Sequence, residues 1–202
     1  MNRVARACGV ALLLLYHCAW AQVIEFESNG LKYQTLTRSG VTVMWAHLGV
    51  RLHQYAIIQV AISNGSQGPY TIRPEDFTWV RNGDAGVIRA TPANTVIDML
   101  IQKGSGSDVT KLTTTYEAGV YGNAHFKSTN GYEQRRESAM AMGGAARLRA
   151  AAGASALALV QTKLIKGETT DGAVFFDTEG KPLSGGRLVM RTNTDVFQFN
   201  AE

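Results

Sequence analysis

The chain has 202 residues, of which 45% are hydrophobic and 18% are charged, and its formal net charge is +4. This length and apolar content predict one domain with a core of its own. Two of the basic residues, Arg3 and Arg6, lie at the very start of the chain. The remainder is close to neutral, so the charge does not indicate nucleic-acid binding.

Residues 1–21 are typical of a cleaved secretory signal. Two arginines are followed by the apolar run Gly9–Leu15 and by the cleavage motif Ala19-Trp20-Ala21. The apolar run is about half of the roughly 20 residues that a membrane-spanning helix needs, and no later apolar run reaches that length. We therefore expect an exported chain that begins at Gln22, has no transmembrane segment, and lies in the periplasm, in the cell envelope or outside the cell.

Both cysteines, Cys8 and Cys18, lie in this signal. A lipid anchor on Cys18 is disfavoured, because His17 stands where such an anchor needs a small residue. The mature chain is thus expected to have no disulfide, no thiolate nucleophile and no cysteine metal site.

The first part of the mature chain has the composition and alternation of β-strands. Val41–Trp45 is rich in β-branched and aromatic residues, and Tyr55–Ile62 is an apolar run. One face of this second run is formed by Ala56, Ile58, Val60 and Ile62. Further strands are predicted over Thr71–Val80 and Val87–Arg89, so residues 31–92 are predicted to be all-β.

From Thr91 the apolar spacing becomes helical. A short amphipathic helix follows Thr91 and Pro92, and Ser107 or Asp108 is predicted to cap a second helix. A third helix is predicted from Asn130.

The alanine-rich segment Ala145–Leu159 predicts a fourth helix. We expect one side of it to pack closely against a neighbour. That side would comprise Leu148, Ala152, Ser155 or Ala156, and Leu159.

Strand patterns return from Leu164 and continue to about residue 200. The two β regions together have about the length of an immunoglobulin-like sandwich. We therefore predict a mainly β fold: a single antiparallel β-sandwich domain over residues 22–202, with strands in 31–92 and 164–200. A helical insertion of about 70 residues would occupy 93–163.

Two segments resemble exported bacterial immunoglobulin-like domains of uncharacterised function. They are the strand Tyr55–Asn64 and the Leu164–Glu168 turn that leads to Asp171–Phe176. In those domains a turn with glycine and a charged residue precedes a strand of the form Gly-x-Val-x-Phe. The resemblance implies an envelope or secreted protein that binds a partner, and it gives no catalytic residues to carry over.

The helical insertion is the main candidate for a functional surface, because long excursions from a rigid scaffold are often functional. It is rich in basic residues, and its aromatic residues cluster between the second and third helices. The candidate binding residues are Arg135, Arg136, Arg147, Arg149, Tyr116, Tyr121 and Tyr132. The arginines would form a basic face for a protein or an anionic envelope component. The alternatives are a solvated helix face and, for the tyrosines with Phe126, a small core.

Residues for catalysis or metal binding are sparse. His47 and His53 flank one turn, but the spacing suggests no third ligand, and His125 is isolated. Asp76 and Asp171 are read more simply as turn residues than as a catalytic acid and base. We therefore predict no catalytic residue, no metal and no cofactor.

The sequence favours an exported, non-catalytic binding module that uses its helices for contact. Two alternatives remain: a hydrolase of envelope polymers that uses carboxylates or a histidine-bound metal, and a structural envelope protein that associates with itself.

Overall fold

A computed structural model describes residues 22–28, 30–83, 86–122, 129 and 132–201. The signal segment with its two cysteines, His125, Phe126 and the expected helix start at Asn130 lie outside the described residues.

The described part of the chain is mainly β and contains eleven strands. They are β1 Ile24–Ser28, β2 Leu31–Arg38, β3 Val41–Leu52, β4 Tyr55–Asn64, β5 Tyr70–Ile72, β6 Phe77–Arg81, β7 Val87–Thr91, β8 Thr162–Leu164, β9 Thr169–Asp177, β10 Gly186–Arg191 and β11 Val196–Ala201. Strands β5 and β6, predicted as one, are separated by a short 3₁₀ turn at Pro74–Asp76.

Nine strands form one antiparallel sheet in the order β1-β2-β3-β4-β9-β7-β6-β10-β11, and β5 pairs with β8 in a separate ribbon. The large sheet curls into a half-barrel. Its two halves meet through side chains: the Trp45 ring on β3 lies 6.1 Å from the Trp79 ring on β6, and 6.3 Å from the Phe199 ring on β11. A hydrogen bond of 2.7 Å from the Gln34 side chain to the Asn200 carbonyl also joins β2 to β11.

The inner face of the curled sheet encloses the larger core. The β4 face predicted from the sequence, formed by alternate residues from Ala56 to Ile62, is fully buried there. This alternation follows from the two-residue period of a strand, which places successive side chains on opposite faces.

Four helices lie between β7 and β8 in the described part of the chain. They are α1 Ala93–Lys103, α2 Gly106–Gly122, α3 Tyr132–Met140 and α4 Ala146–Leu157. They cover the outer face of the sheet, where Leu52, Tyr55, Ile57 and Phe175 form a second core with apolar residues of α1, α2 and α4. Strands β4 and β9 are therefore buried on both faces.

Two expectations about the helices need correction. The cap of α2 is Ser105, because the Ser105 hydroxyl accepts from the Asp108 amide at 3.3 Å and the Asp108 carboxylate accepts from the Ser105 amide at 2.9 Å. The packed side of α4 is also different: Ala150, Gly153, Ala154 and Leu157 are buried.

The α4 side that was expected to pack instead faces outward. Leu148 is 52% exposed, Ser155 is exposed, and Ala152 and Ala156 are half-buried. Only Leu159 of the expected set is buried, and it lies beyond the end of the helix. None of the described helices is long and apolar enough to cross a lipid bilayer.

Candidate functional site

Arg136 does not belong to an exposed basic face. It is 5% exposed, and it joins α3 to the outer face of the sheet. Its Nη1 lies 2.7 Å from Oδ2 of Asp171 on β9, and its Nη2 donates to the Asp171 carbonyl at 2.7 Å. Its Nε also donates to the Ala156 carbonyl on α4, at 3.3 Å. One guanidinium therefore connects two helices and a strand.

Asp171 is held in the same buried network. Burial raises its pKa above the ordinary value, and the charge and hydrogen bond of Arg136 oppose that rise. The Gln59 side chain on β4 donates to the same carboxylate at 3.2 Å. Asp171 is therefore a buried residue beneath α3 that links the helix to the sheet.

Asp76 lies in a different setting. It caps the 3₁₀ turn by accepting from the Arg73 amide at 2.8 Å, and burial raises its pKa. Its hydrogen bonds lie within this turn, and no hydrogen bond or ion pair joins it to Asp171. The two carboxylates suggested for an acid and base pair thus have separate structural partners.

Tyr116 bridges α2 and α3. Its hydroxyl donates to Oε1 of Glu133 at 2.7 Å, and burial followed by this bond raises its pKa well above the ordinary value. Tyr121 lies at the end of α2 and Tyr132 at the start of α3, and their side chains lie outside the described part of the structure. Tyr116 is therefore better explained as a residue of a small core between the helices than as an exposed contact residue.

Arg135, Arg147 and Arg149 are exposed on α3 and α4. Arg135 contributes to both depressions found along these two helices. The first, about 520 Å³, is lined by Arg135, Ala139, Ala152, Ser155, Ala156, Ala158, Val160 and Gln161. The second, about 470 Å³, is lined by Gln134, Arg135, Ser138, Ala139 and Met142.

We call this surface, formed by the residues that line the two depressions, the α3–α4 groove. Its floor is built of small side chains, and none of its described lining residues is acidic. Exposed Leu148 lies one turn before Ala152 on the same side of α4. Arg149 lies three residues before Ala152 and therefore borders the same side of the helix. The groove combines apolar surface with positive charge.

A cluster of serine, histidine and aspartate residues, not predicted from the sequence, lies where α2 meets the β3–β4 turn. Asp108 is 2% exposed and accepts from Ser105 Oγ at 2.7 Å and contacts His53 Nε2 at 3.1 Å. Burial raises the Asp108 pKa, but the hydrogen bonds from Ser105 and the contact with His53 outweigh it, so the pKa is below the ordinary value. The Ser105-x-x-Asp108 spacing of a capping box was the signal available in the sequence.

This cluster has the wrong connectivity for a catalytic triad. In a triad the histidine lies between the serine and the aspartate and accepts the serine proton. Here the aspartate is in the middle, and Ser105 donates to it directly. The cluster therefore fastens α2 to the sheet.

His47 lies apart from His53, on β3 at one end of the curled sheet. There it lines a cavity of about 390 Å³, and burial lowers its pKa below the ordinary value. No group of three or more histidine, cysteine, aspartate or glutamate side chains among the described residues is arranged to hold a metal ion.

No family model and no curated protein matches the chain. Among solved structures, it is similar to the crystal structure of the yjhA protein from Bacillus subtilis, with 10% identity and a TM-score of 0.37, over 89% of this chain and 96% of that one. At this level of similarity we infer nothing about the chain from that protein.

Proposed function

We propose that this chain is an exported, non-catalytic binding module of the cell envelope or extracellular space. The α3–α4 groove is its contact surface, and the occupant is an acidic, amphipathic segment of a partner protein. The observation that carries the proposal is a groove with an apolar floor and a basic border that the helices leave open.

Two features of the scaffold support this proposal. The halves of the curled sheet face each other across the inner core, which is compatible with the β-sandwich and the immunoglobulin-like resemblance. The helices that form the groove are fixed to the sheet by Arg136 and by the second core. A groove on such a scaffold is preorganised, and less conformational entropy is lost on binding.

Charge and shape indicate the partner. Arg135, which lines the groove, and Arg149, which borders it, favour a negative segment, and the alanines of the floor leave room for apolar side chains. This combination fits the helix-in-groove mode of recognition, in which a helix places its apolar face in the groove. A lipid surface would contact the arginines without filling the groove.

The test uses a labelled helical peptide made of glutamate and leucine, with its leucines on one face. We expect it to bind the purified protein and to shift the amide NMR signals of α3 and α4. The double variant Arg135→Glu with Arg149→Glu should weaken binding about tenfold, since surface ion pairs contribute up to about 1 kcal/mol each and reversal adds repulsion. The variant Ala152→Trp should block binding by filling the floor.

The control is Lys181→Glu, which changes an exposed charge on the sheet side of the molecule. Equal binding by this control and by the double variant would contradict the proposal. Binding to phosphatidylglycerol vesicles, with no binding of the peptide, would contradict a protein partner and would indicate that the surface binds lipid. A discrete partner captured in cells by a photo-crosslinker at Ser155, and lost in Ala152→Trp, would identify the occupant.

A further inference from the structure

A second surface is formed by β1, which is the edge strand at one end of the large sheet. Strand β11 is at the other end. In the described part of the chain β1 pairs only with β2, from Ile24 opposite Thr35 to Ser28 opposite Leu31. Its other edge therefore has main-chain N–H and C=O groups without a strand partner. Such an edge is a template for a further strand.

The two faces of β1 differ in chemistry. Ile24 is 61% exposed and Phe26 is 42% exposed, and the Phe26 ring stacks on Tyr33 at 5.3 Å. Glu25 and Glu27 are exposed on the other face. A strand added to this edge would place alternate side chains beside the apolar pair and beside the acidic pair.

The acidic face of β1 opens onto the 390 Å³ cavity introduced above. The residues that line it are Glu25, Phe26, Glu27, Lys32, Tyr33, Gln34, Trp45, His47 and Ala201. The Gln34 amide donates to Glu25 at 2.5 Å and accepts from the Trp45 indole N–H at 3.1 Å. The same amide donates to the Asn200 carbonyl on β11. This hydrogen bond joins the two ends of the sheet at the base of the cavity.

Glu27 is the carboxylate still available in this cavity. It lies opposite Lys32 in the β1–β2 register, yet no ion pair joins them in the described structure. It is exposed, and its carboxylate makes no hydrogen bond to a described residue. A cationic side chain placed between Glu25 and Glu27 would fit in the cavity and would be attracted by the two carboxylates.

We propose that an extended peptide with basic residues at alternate positions binds to β1 as an additional strand. Its basic side chains enter the cavity beside Glu25 and Glu27, and its intervening apolar side chains cover Ile24 and Phe26. Main-chain hydrogen bonds would supply the affinity, and the cavity would supply the preference for lysine or arginine.

A second copy of the chain is a poorer occupant. If two β1 strands pair antiparallel around Phe26, Glu25 of one copy lies opposite Glu27 of the other. Like charges directly opposite each other destabilise a strand pair. A basic peptide replaces this repulsion with attraction.

The test uses a labelled seven-residue peptide of alternating lysine and valine, measured by fluorescence anisotropy with the purified protein. We expect saturable binding and slower amide hydrogen exchange at residues 24–28. Two N-methylated forms give the sharpest comparison, one methylated on the valine amides and one on the lysine amides. Because alternate amides of a strand point in opposite directions, only one form should lose binding.

Variants test the side-chain part of the proposal. Glu27→Gln should weaken binding about fivefold and Glu27→Lys more strongly, since an exposed ion pair contributes up to about that factor. The matched control is Glu117→Gln, which removes an exposed carboxylate on α2 and should leave binding unchanged.

Three results would overturn the proposal. Equal binding of both methylated forms, or of a peptide with its lysines and valines in separate blocks, would indicate general attraction to a negative surface. Dimerisation that depends on Phe26 and is not displaced by the peptide would assign the edge to a second copy. Because the acidic peptide of the α3–α4 groove is a different probe for a different surface, either proposal can fail alone.

Discussion

Arg136 and Asp171 form the most deeply buried ion pair in the described structure, with side-chain exposures of 6% and 10%. A buried charge is costly unless its partner and its hydrogen bonds offset the loss of water. Arg136 meets this requirement with two contacts to Asp171 and one to Ala156. The pair therefore fixes the position of α3 on the sheet, and its removal should destabilise the contact between α3, α4 and β9.

We expect Arg136→Met to lower the free energy of unfolding by about 3–5 kcal/mol, because it leaves the Asp171 carboxylate buried without its cation. The double variant Arg136→Met with Asp171→Leu should recover much of this loss, since neither charge remains. Denaturant titrations of both singles and the double give the coupling energy. Additive losses in this cycle would show that the two side chains do not act as a pair.

Asp108 should make part of the stability dependent on pH. Its pKa is lower in the folded state than the ordinary value, so its contribution is present above about pH 4 and is lost as the pH falls further. Asp108→Asn should therefore be less stable than the parent at pH 7, by about 1 kcal/mol. The two curves should converge near pH 2, as thermal unfolding across this pH range can show. Parallel curves over the whole range would contradict the assignment.

At the scale of elements, the path of the segment that connects α4 to β8 depends on one glycine in β9. The chain after α4 crosses Gly172 so closely that a Cβ there would lie 2.6 Å from the Leu159 Cα. The Leu159 amide donates to the Ala173 carbonyl at 2.8 Å, which holds this crossing in place. The small residue therefore lets the segment after α4 lie directly against β9, where Leu159 joins the inner core.

We expect Gly172→Ala to destabilise the fold by about 1–3 kcal/mol through overpacking against backbone. The matched control is Gly106→Ala at the start of α2, where a Cβ would meet no atom within 4 Å. That control should be neutral or slightly stabilising. Thermal unfolding compares the two, and similar melting temperatures for both variants would argue against the close crossing.

Elements differ in how far the sequence could predict them. The alternation in β4 identified its buried face because a strand between two layers has a fixed two-residue period. The exposed side of α4 was wrongly assigned, since alanine packs equally well on either side of a helix and gives little contrast. The burial of Arg136 could not be foreseen either, because Asp171 lies 35 residues away along the chain.

For the whole molecule, the helices and the sheet share a core. Leu52, Tyr55, Ile57 and Phe175 are buried only because the helices cover the outer face. The order in which distant strands pair, such as β4 with β9, was also beyond the sequence patterns, which report local periodicity and not long-range register. Residues 93–163, predicted as a helical insertion, therefore share a buried core with the sheet.

Deletion of residues 93–163 should therefore abolish soluble, folded protein. The deletion exposes a contiguous apolar surface on β3, β4 and β9, which favours aggregation. Circular dichroism and size-exclusion chromatography of the deleted form check this expectation, with Gly106→Ala as a folded reference. A monomeric deleted form with cooperative unfolding would show that the sheet is stable alone.

The contact between Trp45 and Trp79 gives the protein a built-in optical reporter. The two indoles lie at 70° to each other and are close enough for their electronic transitions to couple, which should produce a circular dichroism signal that disappears on unfolding. Trp45 also lines the cavity beside β1, while Trp79 is 1% exposed. Tryptophan emission should thus change when a ligand enters the cavity, so occupancy can be followed without any attached dye.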